Sequence, residues 1–200
     1  MKRFAVYSGC ALLLIAAVAD AATIAIGTGA RRLIFRVGAG SGAAGGSTGT
    51  INVVTFTVPA ANVGDGTAIV GTVAPASLDC PAGTVVIDAQ ARTTAGAGNS
   101  RNVTISANSS VALTAGAFTI PFTQIDWISS TPGGIACLAA PTTIPSGTFA
   151  GAAGQSLYQA PGTFPSPAQA CACMQFRYLN QNVVSAGTYT GRVTYTLSMP

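Results

Sequence analysis

The run GTYTGRVTYTLSMP that closes the chain, residues 187–200, alternates more strictly than any other stretch. Tyr189, Val193, Tyr195, Leu197 and Met199 take one side of an extended pleat, and Thr188, Thr190, Arg192, Thr194, Thr196 and Ser198 take the other. A two-residue period of this kind buries one face and wets the other. Its β-branched Thr and Val and its aromatic Tyr suit a half-buried pleated surface. A terminal segment frays unless it is tied down, so this run is expected to be held in a sheet.

The same signature recurs upstream. Residues 22–28 place Ile24 and Ile26 on one side, and residues 32–37 alternate through Leu33, Phe35 and Val37. Residues 50–58, 68–74, 84–92, 101–107, 110–114, 117–122, 123–128 and 172–179 read as further strands. The turns between them carry Asn62 and Asp65 beside glycine and the pair Cys80-Pro81. No segment sustains a 3.6-residue apolar period, so the expected class is all-β, an antiparallel sandwich rather than a parallel α/β domain. Residues 129–170 break the rhythm: Pro132, Pro141, Pro145, Pro161, Pro165 and Pro167 remove ladder donors. This stretch reads as a Pro/Gly-rich connection with one short strand near residues 146–150. The glycine-rich residues 38–49 contain GxG spacing, but no helix pattern follows to make a dinucleotide fingerprint.

The opening residues have the tripartite form of a secretory signal. Lys2 and Arg3 precede an apolar run over residues 4–18, and the small Ala19 and Ala21 place cleavage after Ala21. That leaves residues 22–200 as a single β-domain. The apolar run is short for a bilayer span of about 20 residues, and no later stretch is long enough to cross. The expected chain is exported, to the periplasm, the medium or a cell surface, with no transmembrane segment after cleavage. Cys10 lies outside a lipobox, because Tyr7 stands where an aliphatic residue is needed.

Beyond Ala21 the chain has no Lys, Glu or His. Its charges are Arg31, Arg32, Arg36, Arg92, Arg101, Arg177 and Arg192 against Asp65, Asp79, Asp88 and Asp126. These are too sparse and scattered for a nucleic-acid footprint. The Arg31, Arg32, Arg36 group reads as the solvated face of a strand, or as a contact for anionic lipid or glycan. Acid–base work near neutral pH would fall to the Asp residues or a Tyr, and neither a GxSxG elbow nor an SxxK motif occurs. The expectation is a non-enzymatic chain without a cofactor. Asp65 stands alone where a calcium loop needs several oxygen ligands.

Cys80, Cys137, Cys171 and Cys173 make an even set, which in an exported chain reads as disulfides. Cys171 and Cys173 point the same way from an extended strand and would strain badly if joined. Two connectivities remain, each pairing Cys80 and Cys137 with one of the two, at about 3–5 kcal/mol per bond. A CxC without CxxC or His does not supply a zinc set. Trp127 has two readings. It is the large core residue of a sandwich, or it joins Tyr158 as a stacking platform for sugar or peptide.

The run SAGTYTGRVTYTLSMP, residues 185–200, resembles the closing strands of secreted bacterial β-sandwich subunits, namely the spore-coat-U-like and related pilin domains of chaperone–usher systems. Tyr195-Thr196-Leu197 stands where cell-wall-binding WxL domains carry their Trp-x-Leu, so the chain departs from that family. The resemblance implies an immunoglobulin-like fold that lacks one strand, which the N-terminal extension of the next subunit supplies by β-strand addition. It therefore implies a structural subunit of a pilus, fimbria or surface layer, with copies of itself or homologous subunits and a periplasmic chaperone as partners. No catalytic residue is implied. Ile24 and Ile26 would lie on the donor strand, or that segment would complete its own sheet. The second reading is a monomeric secreted module that binds glycan or peptide through the Pro-rich connection, Trp127 and Tyr158.

Overall fold

The computed structural model describes residues 20–21, 32–38, 49–50, 53–76, 80–92, 101–132, 143–162 and 168–199. Among them all strand pairing is antiparallel and there is no α-helix, only the single 3-10 turns Ala60–Asn62 and Phe122–Gln124. No helix among these residues is long and apolar enough to cross a membrane.

The strand Ala168–Tyr178 organises the largest sheet. Its Ala170, Ala172, Met174, Phe176 and Tyr178 enter the apolar core, so Gln169, Cys171, Cys173, Gln175 and Arg177 take the opposite face. The first half pairs with Val85–Arg92, setting Cys171 opposite Asp88 and Met174 opposite Val85. The second half pairs with Ile125–Ser130, setting Trp127 opposite Phe176, and Ile69–Val70 continues along the other side. Arg32–Val37 lies outside Val85–Arg92, and Gly147–Thr148 lies outside Ile125–Ser130.

A second sheet runs Gln155–Gly162, Arg101–Asn108, Thr194–Ser198, and a third runs Gly187–Tyr189, Val53–Val58, Thr72–Ala74. The hairpin Leu113–Ala115 with Phe118–Ile120 joins the third through Thr114 and Thr190, which exchange backbone bonds at 2.8 and 3.1 Å. Asp20–Ala21 pairs with Gly49–Thr50.

The three larger sheets and the hairpin share one apolar cluster. Phe149 is its aromatic hub, with ring centroids 4.8 Å from Trp127, 5.5 Å from Phe122 and 5.9 Å from Phe176. Offset and edge contacts of this kind add about 0.5–1.5 kcal/mol each beyond the area they bury.

Three expectations change. The closing run is two strands, Gly187–Tyr189 and Thr194–Ser198, on different neighbours. Residues 129–170 hold the expected short strand, Gly147–Thr148, but also the unexpected eight-residue strand Gln155–Gly162. Pro161 is tolerated there because the strand has a partner on one side only among the described residues. The penultimate strand starts at Ala168, four residues before the expected 172.

Candidate functional site

The SAGTYTG motif is a packed corner. Tyr189 has no exposed surface, and its phenol donates to the Ser185 carbonyl at 2.7 Å. Gly191 follows where the chain passes against the hairpin: a Cβ there would lie 2.9 Å from Leu113 Cγ, 3.2 Å from Leu113 Cα and 3.3 Å from Phe122 Cζ. Only glycine fits so close to backbone. The chain leaves the third sheet here and enters the second, which divides one alternating run into two strands.

After that corner, Thr194–Ser198 pairs in register with Arg101–Asn108, with Tyr195 opposite Ala107 and Leu197 opposite Ile105. Its other edge has no strand partner among the described residues. Tyr195 and Leu197 of this strand, and Val193 just before it, pack against the core but are only partly buried, whereas Ile105 and Ala107 beside them are sealed. Arg32–Val37, at one edge of the large sheet, comes close to the same strand. Its inward Phe35 and Val37 are again only partly buried. The two edges thus border a flank of the core that is incompletely covered.

The opposite edge of the second sheet differs. Gln155–Gly162 carries a register break between Ser156 and Tyr158 and has Pro161 opposite Asn102. Bulges and proline are the devices that stop an edge from templating another strand. Residues 193–199, VTYTLSM, contain no proline, glycine or charge.

Asn180 was not legible as a key residue. It is fully buried at φ 54°, and its backbone carbonyl accepts from Gly66 N–H at 3.0 Å. Its side-chain Oδ1 accepts from Gly64 N–H at 3.0 Å, and Nδ2 donates to the Asn62 carbonyl at 2.6 Å and to Asp65 Oδ1 at 2.9 Å. The side chain of Asn62 and the backbone N–H of Thr67 also donate to Asp65, and together they hold its carboxyl below the ordinary value. The sequence signal is faint: Asn tolerates the left-handed region.

The remaining site residues fall as follows. Trp127 is 4% exposed and donates its indole N–H to the Pro145 carbonyl at 2.8 Å. A ring buried against Phe149 and Gly147 offers no face to a ligand, so the stacking-platform reading gives way to the core reading. Tyr158 is partly buried against the core from a different sheet. Arg36 is 3% exposed and opposite Asp88, not on a solvated face as expected, because this part of the sheet is covered. Ile24, Ile26, Arg31 and Cys137 lie outside the described residues.

Cys80 and Cys173 are joined, with Cα atoms 5.6 Å apart across 93 residues of sequence. Cys171 is disulfide-bonded as well. The 171/173 pair is therefore not bonded to itself.

No family model, no curated protein and no solved structure matches the chain.

Proposed function

We propose that this chain is a non-enzymatic, exported structural subunit that assembles by accepting an extended strand along Thr194–Ser198. The observation that carries the reading is the open flank there. Among the described residues this edge has no strand partner, and its residues 193–199, free of proline, glycine and charge, border core residues that are only partly buried. An added strand would satisfy the edge N–H and C=O groups and cover Val193, Tyr195 and Leu197, and such main-chain pairing is a general mode of recognition. The Tyr189 corner supports an immunoglobulin-like sandwich, in which a buried tyrosine commonly bonds a backbone carbonyl a few residues upstream. The resemblance of residues 185–200 to pilin domains of chaperone–usher systems supplies the donor, the N-terminal segment of the next copy with Ile24 and Ile26 on one side.

Light scattering of the chain from Ala22 onward, over rising concentration, tests the reading. Head-to-tail strand addition gives a ladder of multimers. A dimer that grows no further points instead to two C-terminal edges pairing with each other, and a monomer throughout removes the assembly function.

A further inference from the structure

The large sheet is sealed on part of the face that turns away from the apolar cluster. Gln169, Cys171 and Cys173 lie on that face. Cys173 is in register with Val86, Cys171 with Asp88, and Asp88 in turn with Arg36. An outward antiparallel face is ordinarily wet. Further along the sheet it is: the Arg177 side chain is 30% exposed and Ile128 is 41% exposed. In the strip, by contrast, Val86, Cys171 and Cys173 have no exposed surface, Arg36 and Asp88 are 3% exposed and Gln169 is 8% exposed.

Three of the sealed residues, Arg36, Asp88 and Gln169, are polar or charged. Gln169 Nε2 donates to Asp88 Oδ1 at 3.0 Å, and Gln90 Nε2 donates to Asp88 Oδ2 at 3.3 Å. Covering a carboxylate and a guanidinium is weakly favoured at best, since lost hydration offsets their attraction. Both cysteines of the strip, Cys171 and Cys173, are disulfide-bonded. Cys80 reaches Cys173 from a short turn in which Thr84 donates both its N–H and its hydroxyl to the Pro81 carbonyl, at 3.2 and 2.6 Å.

We propose that the Cys80–Cys173 disulfide is a redox-sensitive latch over this strip. A dithiol reductant opens it, frees the turn at residues 80–84 and admits water to Cys173 and the neighbouring Val86, while the apolar cluster on the other face stays packed. Cys80 is the partly exposed half of the bond and Cys173 the buried one, so the attacking thiolate meets the Cys80 sulfur. The Cys80–Cys173 bond breaks, and Cys173 leaves as a thiolate that takes up a proton. The reductant's second thiol then displaces Cys80, closing the reductant's own disulfide. Two electrons pass from reductant to protein.

Trp127, the one tryptophan of the chain, reports the core alone. The test compares the oxidised chain, the chain treated with dithiothreitol, and a Cys80→Ser/Cys173→Ser variant that leaves the Cys171 bond in place. An open latch raises hydrogen exchange across residues 80–84 by roughly tenfold or more, while Trp127 emission stays blue in the variant. Unchanged exchange in the variant overturns the proposal. So does a red shift of Trp127 in the variant, which would make the bond part of one cooperative unit rather than a latch.

Discussion

The Tyr189 phenol donates to the Ser185 carbonyl at 2.7 Å from a position with no exposed surface. Tyr189→Phe keeps the ring and removes the donor, leaving a carbonyl without that partner in a part-buried corner. A loss of about 1–2 kcal/mol is expected, read as a lower urea midpoint at unchanged slope.

Two glycines of the same motif should respond unequally. Gly191→Ala drives a methyl to within 2.9 Å of Leu113 Cγ and against its backbone, whereas the Cβ of Gly187→Ala would sit 3.6 Å from Ala115 Cβ, an ordinary contact. Gly191→Ala should cost about 1–3 kcal/mol by overpacking, and Gly187→Ala less than about 0.5 kcal/mol. Thermal melts of the pair decide it, and equal effects would remove the close-approach explanation of the motif.

Asn180→Ala removes the amide that ties Gly64, Asn62 and Asp65 together and places Ala at φ 54°. Unsatisfied groups cost about 1–3 kcal/mol and the left-handed backbone about 1–2 kcal/mol more. Proteolysis after residue 62 should quicken in the variant before the core opens. Equal rates of core loss and turn cleavage would contradict a local lock.

Stability should fall at both ends of the pH range. Burial raises the Tyr178, Tyr189 and Tyr195 phenols, Tyr195 the most, and for Tyr178 the neighbouring Tyr189 adds to the shift. Unfolded phenols ionise near about pH 10, so above that pH the unfolded chain binds fewer protons. The stabilisation is whole below the unfolded value and is lost as pH rises through the folded one. Asp65 has the opposite sign: bonds from Asn62 and Thr67 lower it, so its contribution is present above the unfolded carboxyl value and is lost as pH falls through the folded one. Urea midpoints across the pH range should form a plateau with two falling limbs, and Tyr195→Phe should flatten the alkaline limb more than Tyr189→Phe.

The all-β class and most strand positions were legible because alternation is a local signal. Arg32–Val37 and Val85–Arg92 lie within a residue of their sequence bounds for that reason. Cys171 and Cys173 facing one way also followed from the pleat. What was not legible depends on neighbours. Nothing in the sequence says that Gly191 meets Leu113 and splits the closing run, that Pro161 lies on a sheet edge, or that Trp127 reaches the Pro145 carbonyl. The sealed strip was hidden for the same reason, since alternation assigns Arg36 and Asp88 to an outer face but not what covers it.

The most direct test of strand addition deletes residues 22–28 and then supplies them as a free peptide. The account predicts that the chain from Ala22 forms multimers, that the chain from Gly29 is monomeric with a lower urea midpoint, and that the peptide restores the midpoint in a saturable way. Replacing Ile24 and Ile26 by Asp in the peptide should abolish the rescue. Two monomers of equal stability, with no effect of peptide, would contradict the account.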